Sequence, residues 1–483
     1  MNNLNDILTS LEVRQIIGSA EIELSGIEAD SRKVGCNYMF VATRGTQVDG
    51  HAYIASAIEK GASVVVCDIL PLELAENVTY VCVDDTNVAL GRIASAWYDF
   101  PSSSLRLVGV TGTNGKTTIA TLLYRLFQRL GYKCGLLSTV CNYVDQLEIP
   151  STHTTPDPLT LNRLLAQMVE AGCKFAFMEV SSHAIDQRRI EGLCFEGGIF
   201  TNLTRDHLDY HKTFAEYLSV KKRFFDDLSD EAFALTNVDD KNGMVMLQNT
   251  KAEKMGYSVR SMSDFKTKII EDGFDGLKLE INRKEVFLPF IGKFNAYNLT
   301  AVYGAAILLG CEPDEALLTL SALKPVSGRF ESIDAPSGYK VIVDYAHTPD
   351  ALKNVLETID NILATEAQLI TVVGCGGNRD SGKRPLMAKE AVKASHQVIF
   401  TSDNPRNENP QTIIDEMMAG VEQEDLKKVI TIVDRYQAIK TAMLLAKPKD
   451  VVLIAGKGHE NYQEVNGVRS HFDDKEVVRE TMR

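Results

Sequence analysis

Short apolar runs rich in β-branched residues alternate along the whole chain with longer stretches whose apolar positions recur at helical spacing. Runs of the first kind occupy 63–67, 105–110, 175–180, 340–343, 369–373, 397–400 and 451–454. Their length suits strands. Their unbroken apolar character suits parallel strands covered on both faces, because an edge or half-exposed strand would alternate. Helical spacing appears at 214–225 and 294–311, and after residue 118 through Ile119, Leu122, Leu123 and Leu126. The alternation predicts α/β domains with mostly parallel sheets.

Two turn-rich breaks divide the pattern, Phe100-Pro101-Ser102-Ser103-Ser104 and Lys324-Pro325-Val326-Ser327-Gly328. They give three domains, 1–103, 104–325 and 326–483. A length of 483 residues leads to the same number at roughly 150 residues per domain. No internal repeat or low-complexity run interrupts them.

Composition narrows the function classes. Hydrophobic residues make up 45% and charged residues 24%, ordinary values for a globular protein. The net charge of -14 argues against a general nucleic-acid binder, although a few cations and backbone N–H groups can still make a local anion site. The first ten residues are polar, so no signal peptide is read. The stretch 294–311 contains Asn295, Asn298, Thr300 and two Tyr, which predicts a buried helix and no membrane span. Nine Cys without a CxxC pair fit reduced thiols. A cytoplasmic, monomeric protein is expected.

The clearest chemical signal follows the run 105–110. Thr111-Gly112-Thr113-Asn114-Gly115-Lys116-Thr117-Thr118 lies between a strand and a helix, the context of a P-loop. Glycines let the backbone approach phosphates, and N–H groups at the helix start point at them. Lys116 can neutralise the β/γ-phosphates, and the Thr117 hydroxyl can ligate Mg²⁺. The spacing is a variant of GxxxxGK[ST], since position 110 is Val where the first glycine would stand. Glu179, at the end of a predicted strand, is placed where α/β sheets put their ligands and offers the hard oxygen that Mg²⁺ prefers.

TGTNGKTT resembles the ATP loop of the Mur ligase family, which also includes folylpolyglutamate synthases. Segments 30–32, 153–156, 178–183, 201–211, 344–349, 374–380, 403–406 and 456–460 are similar to its MurE type, in the same order along nearly the whole chain. The resemblance implies a small N-terminal α/β domain that binds a UDP-sugar, a central ATP-binding domain with a parallel sheet, and a C-terminal Rossmann-like α/β domain that binds an amino acid. It implies an ATP-dependent amide ligase. ATP phosphorylates a carboxylate of UDP-N-acetylmuramoyl-L-alanyl-D-glutamate, an amine attacks the acyl phosphate, and phosphate leaves. Carboxylate is a poor electrophile because oxide is a prohibitive leaving group, whereas phosphate is a stable one.

The same resemblance implies residue roles. Glu179 and His207 would hold Mg²⁺ with Thr117, and Lys221 would be N6-carboxylated to add a further anion. That modification needs a neutral amine, hence a partly buried lysine of depressed pKa. Chemistry alone does not separate Lys221 from Lys222; the spacing from His211 selects Lys221. ATP contacts extend from Gly112, Thr113, Asn114, Gly115 and Thr118 to Asn298, Arg329 and Asp344, with His347 in the same loop as Asp344. Ser31, Thr46, Gln47, Val48, Thr154, Thr155, Ser181, Gln187 and Arg189 would hold the UDP-muramoyl peptide. Arg379, Asp403, Asn404, Pro405, Arg406, Gly456 and Glu460 would hold the incoming amino acid.

The DNPR form of 403–406 is that of relatives accepting meso-diaminopimelate, whose far carboxylate an Arg fork can pair in bidentate fashion. Three alternatives stand beside this reading. A lysine-adding ligase should differ at the Arg. A folylpolyglutamate synthase should lack both DNPR and the N-terminal uridine loops. A regulatory P-loop NTPase should hydrolyse ATP without an amino acid.

Overall fold

The computed structural model describes residues 2–482 except Thr46, Gln47, Thr152, Arg205 and His207, and leaves out the side chains of Asn2, Leu208 and Asp209. The apolar run after the first break forms the strand Arg106–Thr111, in the middle of an eleven-stranded sheet. Phe175–Glu179 and Gly197–Phe200 flank it, both parallel to it. Seven strands, from Cys134–Leu137 across to Phe265–Gly273, run parallel.

Antiparallel hairpins extend both edges, Cys141–Val144 with Leu147–Pro150 and Gly276–Ile281 with Lys284–Leu288. The expectation of mostly parallel sheets does not anticipate them. The turns carry positive φ at Asp145, Asn282 and Arg283, with values of 51°, 46° and 69°. Left-handed turn residues match the strand twist of a hairpin, but no glycine announces them here.

Helices Lys116–Arg129 and Lys293–Leu308 pack on one face of this sheet through Ile119, Leu122, Leu126, Leu299 and Val302. The second is the predicted buried helix, shielded by protein along most of its length. No helix among the described residues is long and apolar enough to cross a membrane.

The N-terminal sheet has five strands in the order Val13–Ile17, Thr79–Val83, Ala62–Cys67, Tyr38–Val41, Gly26–Glu28, the first pair antiparallel and the rest parallel. The C-terminal sheet has six, in the order Glu331–Asp334, Lys340–Asp344, Val451–Ala455, Leu369–Val373, Gln397–Phe400, Val429–Thr431, again with one antiparallel pair. Many of the candidate residues lie in loops that follow Thr111, Glu179, Asp344, Val373, Phe400 and Ala455. These are carboxyl ends of strands, where open α/β sheets bind ligands.

Candidate active site

The loop after Arg106–Thr111 needs its glycines. Gly112 and Gly115 have φ of 144° and 91°. A Cβ on Gly112 would lie 1.9 Å from Thr201 Oγ1, and one on Gly115 2.6 Å from Asn298 Oδ1. The next strand end braces the loop: Thr113 N–H donates to the Asn202 carbonyl at 2.8 Å, and Asn114 N–H to Asn202 Oδ1 at 3.0 Å. Thr201 and Asn202 belong to a segment quoted for the resemblance, but the sequence gives them no such role. Lys116, the first helical residue, folds back and donates to the carbonyls of Gly112 at 2.9 Å and Thr113 at 2.8 Å. Burial lowers its pKa, against the attraction of Glu179 and Asp206. Thr118 is buried in the first helical turn.

Glu179 is 1% exposed at the end of its strand. Its Oε2 accepts from Thr117 Oγ1 at 2.9 Å and its Oε1 from the Thr139 N–H at 2.7 Å. Thr139 was not singled out in the sequence; its partner lies 40 residues away. Among the described residues no three His, Cys, Asp or Glu side chains form a metal cluster. A site of one hydroxyl and one carboxylate still fits Mg²⁺, which keeps several waters and takes its other ligands from substrate phosphates. His207 lies outside the described residues.

Lys221 and Lys222 separate cleanly. Lys221, on the helix Phe214–Asp226, is 1% exposed. Its Nζ donates to the Gly112 carbonyl at 3.0 Å and to Thr111 Oγ1 at 3.3 Å, and lies 5.0 Å from the Tyr217 ring centre. Burial and the nearby Lys116 charge hold its pKa well below the ordinary lysine value. Lys222 instead pairs with Asp226 at 2.6 Å.

The C-terminal domain reaches this centre through Arg329, whose Nη2 donates to Thr117 Oγ1 at 3.2 Å. Its guanidinium carbon lies 4.4 Å from the Tyr345 ring centre. Asp344, expected among the ATP contacts, spends its carboxylate on backbone: Oδ2 accepts from Phe330 N–H and Oδ1 from Ala346 N–H, each at 2.7 Å. It thereby fixes the turn that presents Arg329. His347 Nδ1 donates to the Tyr345 carbonyl at 2.8 Å, and burial drives its pKa down to about 4. Asn298 packs beside Gly115 and donates to Asn295 Oδ1 at 3.2 Å.

The loop 403–406 and the loop 456–460 meet. Asn404 Nδ2 donates to Glu460 Oε2 at 2.8 Å, and Asn404 Oδ1 accepts from Lys457 Nζ at 3.3 Å. Lys457, fully buried, also lies 3.3 Å from Glu460 Oε2; the sequence reading passed over it. Burial and Asp403 raise the Glu460 pKa. A Cβ on Gly456 would lie 2.5 Å from Asp403 Oδ2. Pro405 is buried, and Arg406, at φ 53°, donates to the Gly377 carbonyl at 2.7 Å. Arg379 is exposed beside Gly376, which Arg406 also approaches.

Five of the peptide-binding candidates, Thr154, Thr155, Ser181, Gln187 and Arg189, form a second group around the same strand end. Thr155 Oγ1 donates to the Glu179 carbonyl at 2.8 Å and lies 3.3 Å from Ser181 Oγ, while Thr154 accepts from Thr139 Oγ1 at 3.0 Å. Arg189 donates to the Thr155 carbonyl at 2.9 Å and to Gln187 Oε1 at 2.6 Å. Ser31 is buried in the N-terminal domain, and Val48 is 54% exposed. Thr46 and Gln47 lie outside the described residues.

An α/β architecture of three large sheets, with a P-loop at the carboxyl end of a strand in the middle of the central one, defines a nucleotide-binding protein of the P-loop class. The sequence comparisons give the family. Residues 23–98 match the Mur ligase family catalytic domain, 110–306 the Mur ligase middle domain, and 328–458 the Mur ligase glutamate ligase domain. The chain belongs to the Mur ligase family, and its activity is ATP-dependent amide-bond formation. It is 62% identical over 477 residues to a UDP-N-acetylmuramoyl-L-alanyl-D-glutamate–2,6-diaminopimelate ligase of Phocaeicola vulgatus, covering 99% of both chains. It is 61% identical over 477 residues to the ligase of that name from Parabacteroides distasonis, covering 99% of this chain and 98% of the other. A solved structure of a ligase of that name superposes with a TM-score of 0.68 at 34% identity, over 95% of this chain and 94% of the other.

Proposed function

We propose that the chain joins meso-2,6-diaminopimelate to UDP-N-acetylmuramoyl-L-alanyl-D-glutamate at the expense of ATP, in the synthesis of peptidoglycan precursor. The observation that carries the reading is the connected set of contacts from the P-loop Thr117 through Arg329 and Tyr345 to Glu460. A ligase must bring an activated acyl group and an amine together, and one continuous site between the second and third domains meets that need. The relatives' names support the substrate pair.

In this reading 1–103 holds the uridine diphosphate, 104–325 the ATP, and 326–483 the amino acid. A carboxylate oxygen of the dipeptide attacks the γ-phosphorus and ADP leaves. The amine nitrogen then attacks the acyl carbon, phosphate leaves, and the nitrogen gives up its extra proton. Lys116 and Arg329 neutralise the phosphoryl charge as it moves. Thr117 and Glu179, with His207 and an N6-carboxylated Lys221, would hold Mg²⁺, which supplies further charge neutralisation when bound. Thr155, Ser181 and Arg189 steady the peptide. Glu460 receives an ammonium group, and Arg406 with Arg379 faces the far carboxylate.

Phosphate release tests the proposal. It should require both the UDP-muramoyl dipeptide and diaminopimelate. Release with ATP alone would favour a regulatory NTPase, and release with lysine in place of diaminopimelate a lysine-adding enzyme.

A further inference from the structure

A relay of two side chains, Arg329 and Tyr345, joins the ATP loop to the proposed amino-acid site. Thr117 Oγ1 accepts from Arg329 at 3.2 Å, and the Arg329 guanidinium lies over the Tyr345 ring at 4.4 Å. The Tyr345 hydroxyl donates to Glu460 Oε1 at 3.4 Å, and the other Glu460 oxygen is held by Asn404 and Lys457.

The backbones around this relay have no slack. A Cβ on Gly328 would lie 2.2 Å from the His459 nitrogen. One on Gly458 would lie 2.6 Å from the Gly328 oxygen and 2.7 Å from Tyr345 Cβ. Both glycines have positive φ, 67° and 54°. The turn that carries Arg329 is therefore packed backbone to backbone on the loop that carries Glu460. His459 completes the contact, its ring 4.8 Å from that of Tyr345.

We infer that Tyr345 is a positioning residue that couples occupation of the phosphate site to the amino-acid pocket. The inference rests on the proposed roles of Thr117 and Glu460. Phosphate oxygens arriving at Thr117 draw the Arg329 guanidinium into charge-assisted hydrogen bonds. The ring stacked on it and the loop packed behind it must follow. At 3.4 Å the hydroxyl contact to Glu460 is long for an O–H···O bond, and a shift of well under an ångström brings it into the strong range. Glu460 is then fixed to receive the ammonium group. Coupling of this kind is reciprocal: amino acid must tighten nucleotide by the factor with which nucleotide tightens amino acid.

The test is calorimetric. The affinity of meso-diaminopimelate is measured on the full chain saturated with UDP-muramoyl dipeptide, with and without a non-hydrolysable ATP analogue. The unaltered protein should bind it about 5-fold or more tightly with the analogue present. Tyr345→Phe, which keeps the ring under Arg329 and removes the hydroxyl, should bring that ratio close to one while leaving the analogue's own affinity within about 2-fold. Tyr345→Leu should lose the ratio and weaken the analogue as well. A ratio near one in the unaltered protein, or a full ratio in Tyr345→Phe, overturns the inference alone. If the unaltered protein binds no diaminopimelate under either condition, the substrate reading falls and the coupling falls with it.

Discussion

Lys221 reaches into the ATP loop and donates to the Gly112 carbonyl at 3.0 Å, whereas Lys222, one residue on, turns to Asp226 at 2.6 Å. The helix thus offers one fully buried amine and one part-buried cation paired with a carboxylate. Burial and Lys116 favour the neutral form of Lys221, the form that can attack CO₂ and lose a proton to become a carbamate. Lys221→Ala should lower turnover by about 10²-fold or more, the usual cost of removing one preorganised charge partner. Short-chain carboxylic acids should restore part of it by supplying the missing anion. Lys222→Ala should stay close to the unaltered rate. Full activity of Lys221→Ala, or a carboxylated Lys222 found by mass spectrometry, would end this assignment.

Lys116 packs no core; its ammonium rests on two loop carbonyls at 2.9 and 2.8 Å. When phosphates arrive, the amine exchanges those neutral acceptors for anionic ones. Lys116→Ala should therefore reduce kcat/KM by about 10²- to 10³-fold while circular dichroism and thermal midpoint change little. Unchanged turnover in a well-folded variant would remove the phosphate role.

What the sequence revealed, and what it hid, follows from how each feature is encoded. Strands such as Leu369–Val373 and Gln397–Phe400 were legible to the residue because a strand buried on both faces is written as an unbroken apolar run. Gly112 and Gly115 were legible because only glycine tolerates those φ values against Thr201 and Asn298. Thr139 was not, because a backbone N–H to Glu179 leaves no mark on residue identity. Lys457 sits in a quoted motif, yet its burial against Asn404, 53 residues away, is a product of tertiary folding. Asp344 was legible as a strand-end carboxylate, but its engagement by two backbone N–H groups was not.

His347 gives the site a pH dependence of defined sign. Its folded pKa is about 4, against an ordinary 6.5, because burial disfavours the imidazolium. Above pH 6.5 the group is neutral in both states and costs nothing. As pH falls from 6.5 toward 4 the unfolded chain takes up the proton first, so folding stability is lost across that window and the loss is complete below it. The full shift corresponds to about 3 kcal/mol. His347→Gln should show a flatter dependence of denaturation free energy on pH between 6.5 and 4 than the unaltered protein. Parallel curves would mean that His347 is not the responsible group.

Arg406 should decide which amino acid is used. Its backbone is held in the left-handed region at φ 53°, its N–H donates to the Glu464 carbonyl at 2.9 Å, and one guanidinium nitrogen is anchored on the Gly377 carbonyl at 2.7 Å. The fork is thereby fixed beside Asn404, whose side chain engages Lys457 and Glu460. Arg406→Ala keeps a Cβ at that position, so it adds no new backbone strain and removes only the cation. Meso-diaminopimelate carries a carboxylate at its far end, and truncating Arg406 leaves that group desolvated and unpaired. Removing one partner of such a pair costs about 2–5 kcal/mol, or roughly 30- to several-thousand-fold in affinity. Lysine has only an ammonium group there, which the intact Arg406 repels. Arg406→Ala should therefore depress kcat/KM for diaminopimelate sharply while that for lysine falls little or rises. Arg406→Lys should recover only part of the loss, because a point charge cannot reproduce the two-toothed geometry. A preference of the unaltered enzyme for lysine, or an equal fall for both amino acids in Arg406→Ala, would show that the far carboxylate is not clamped here.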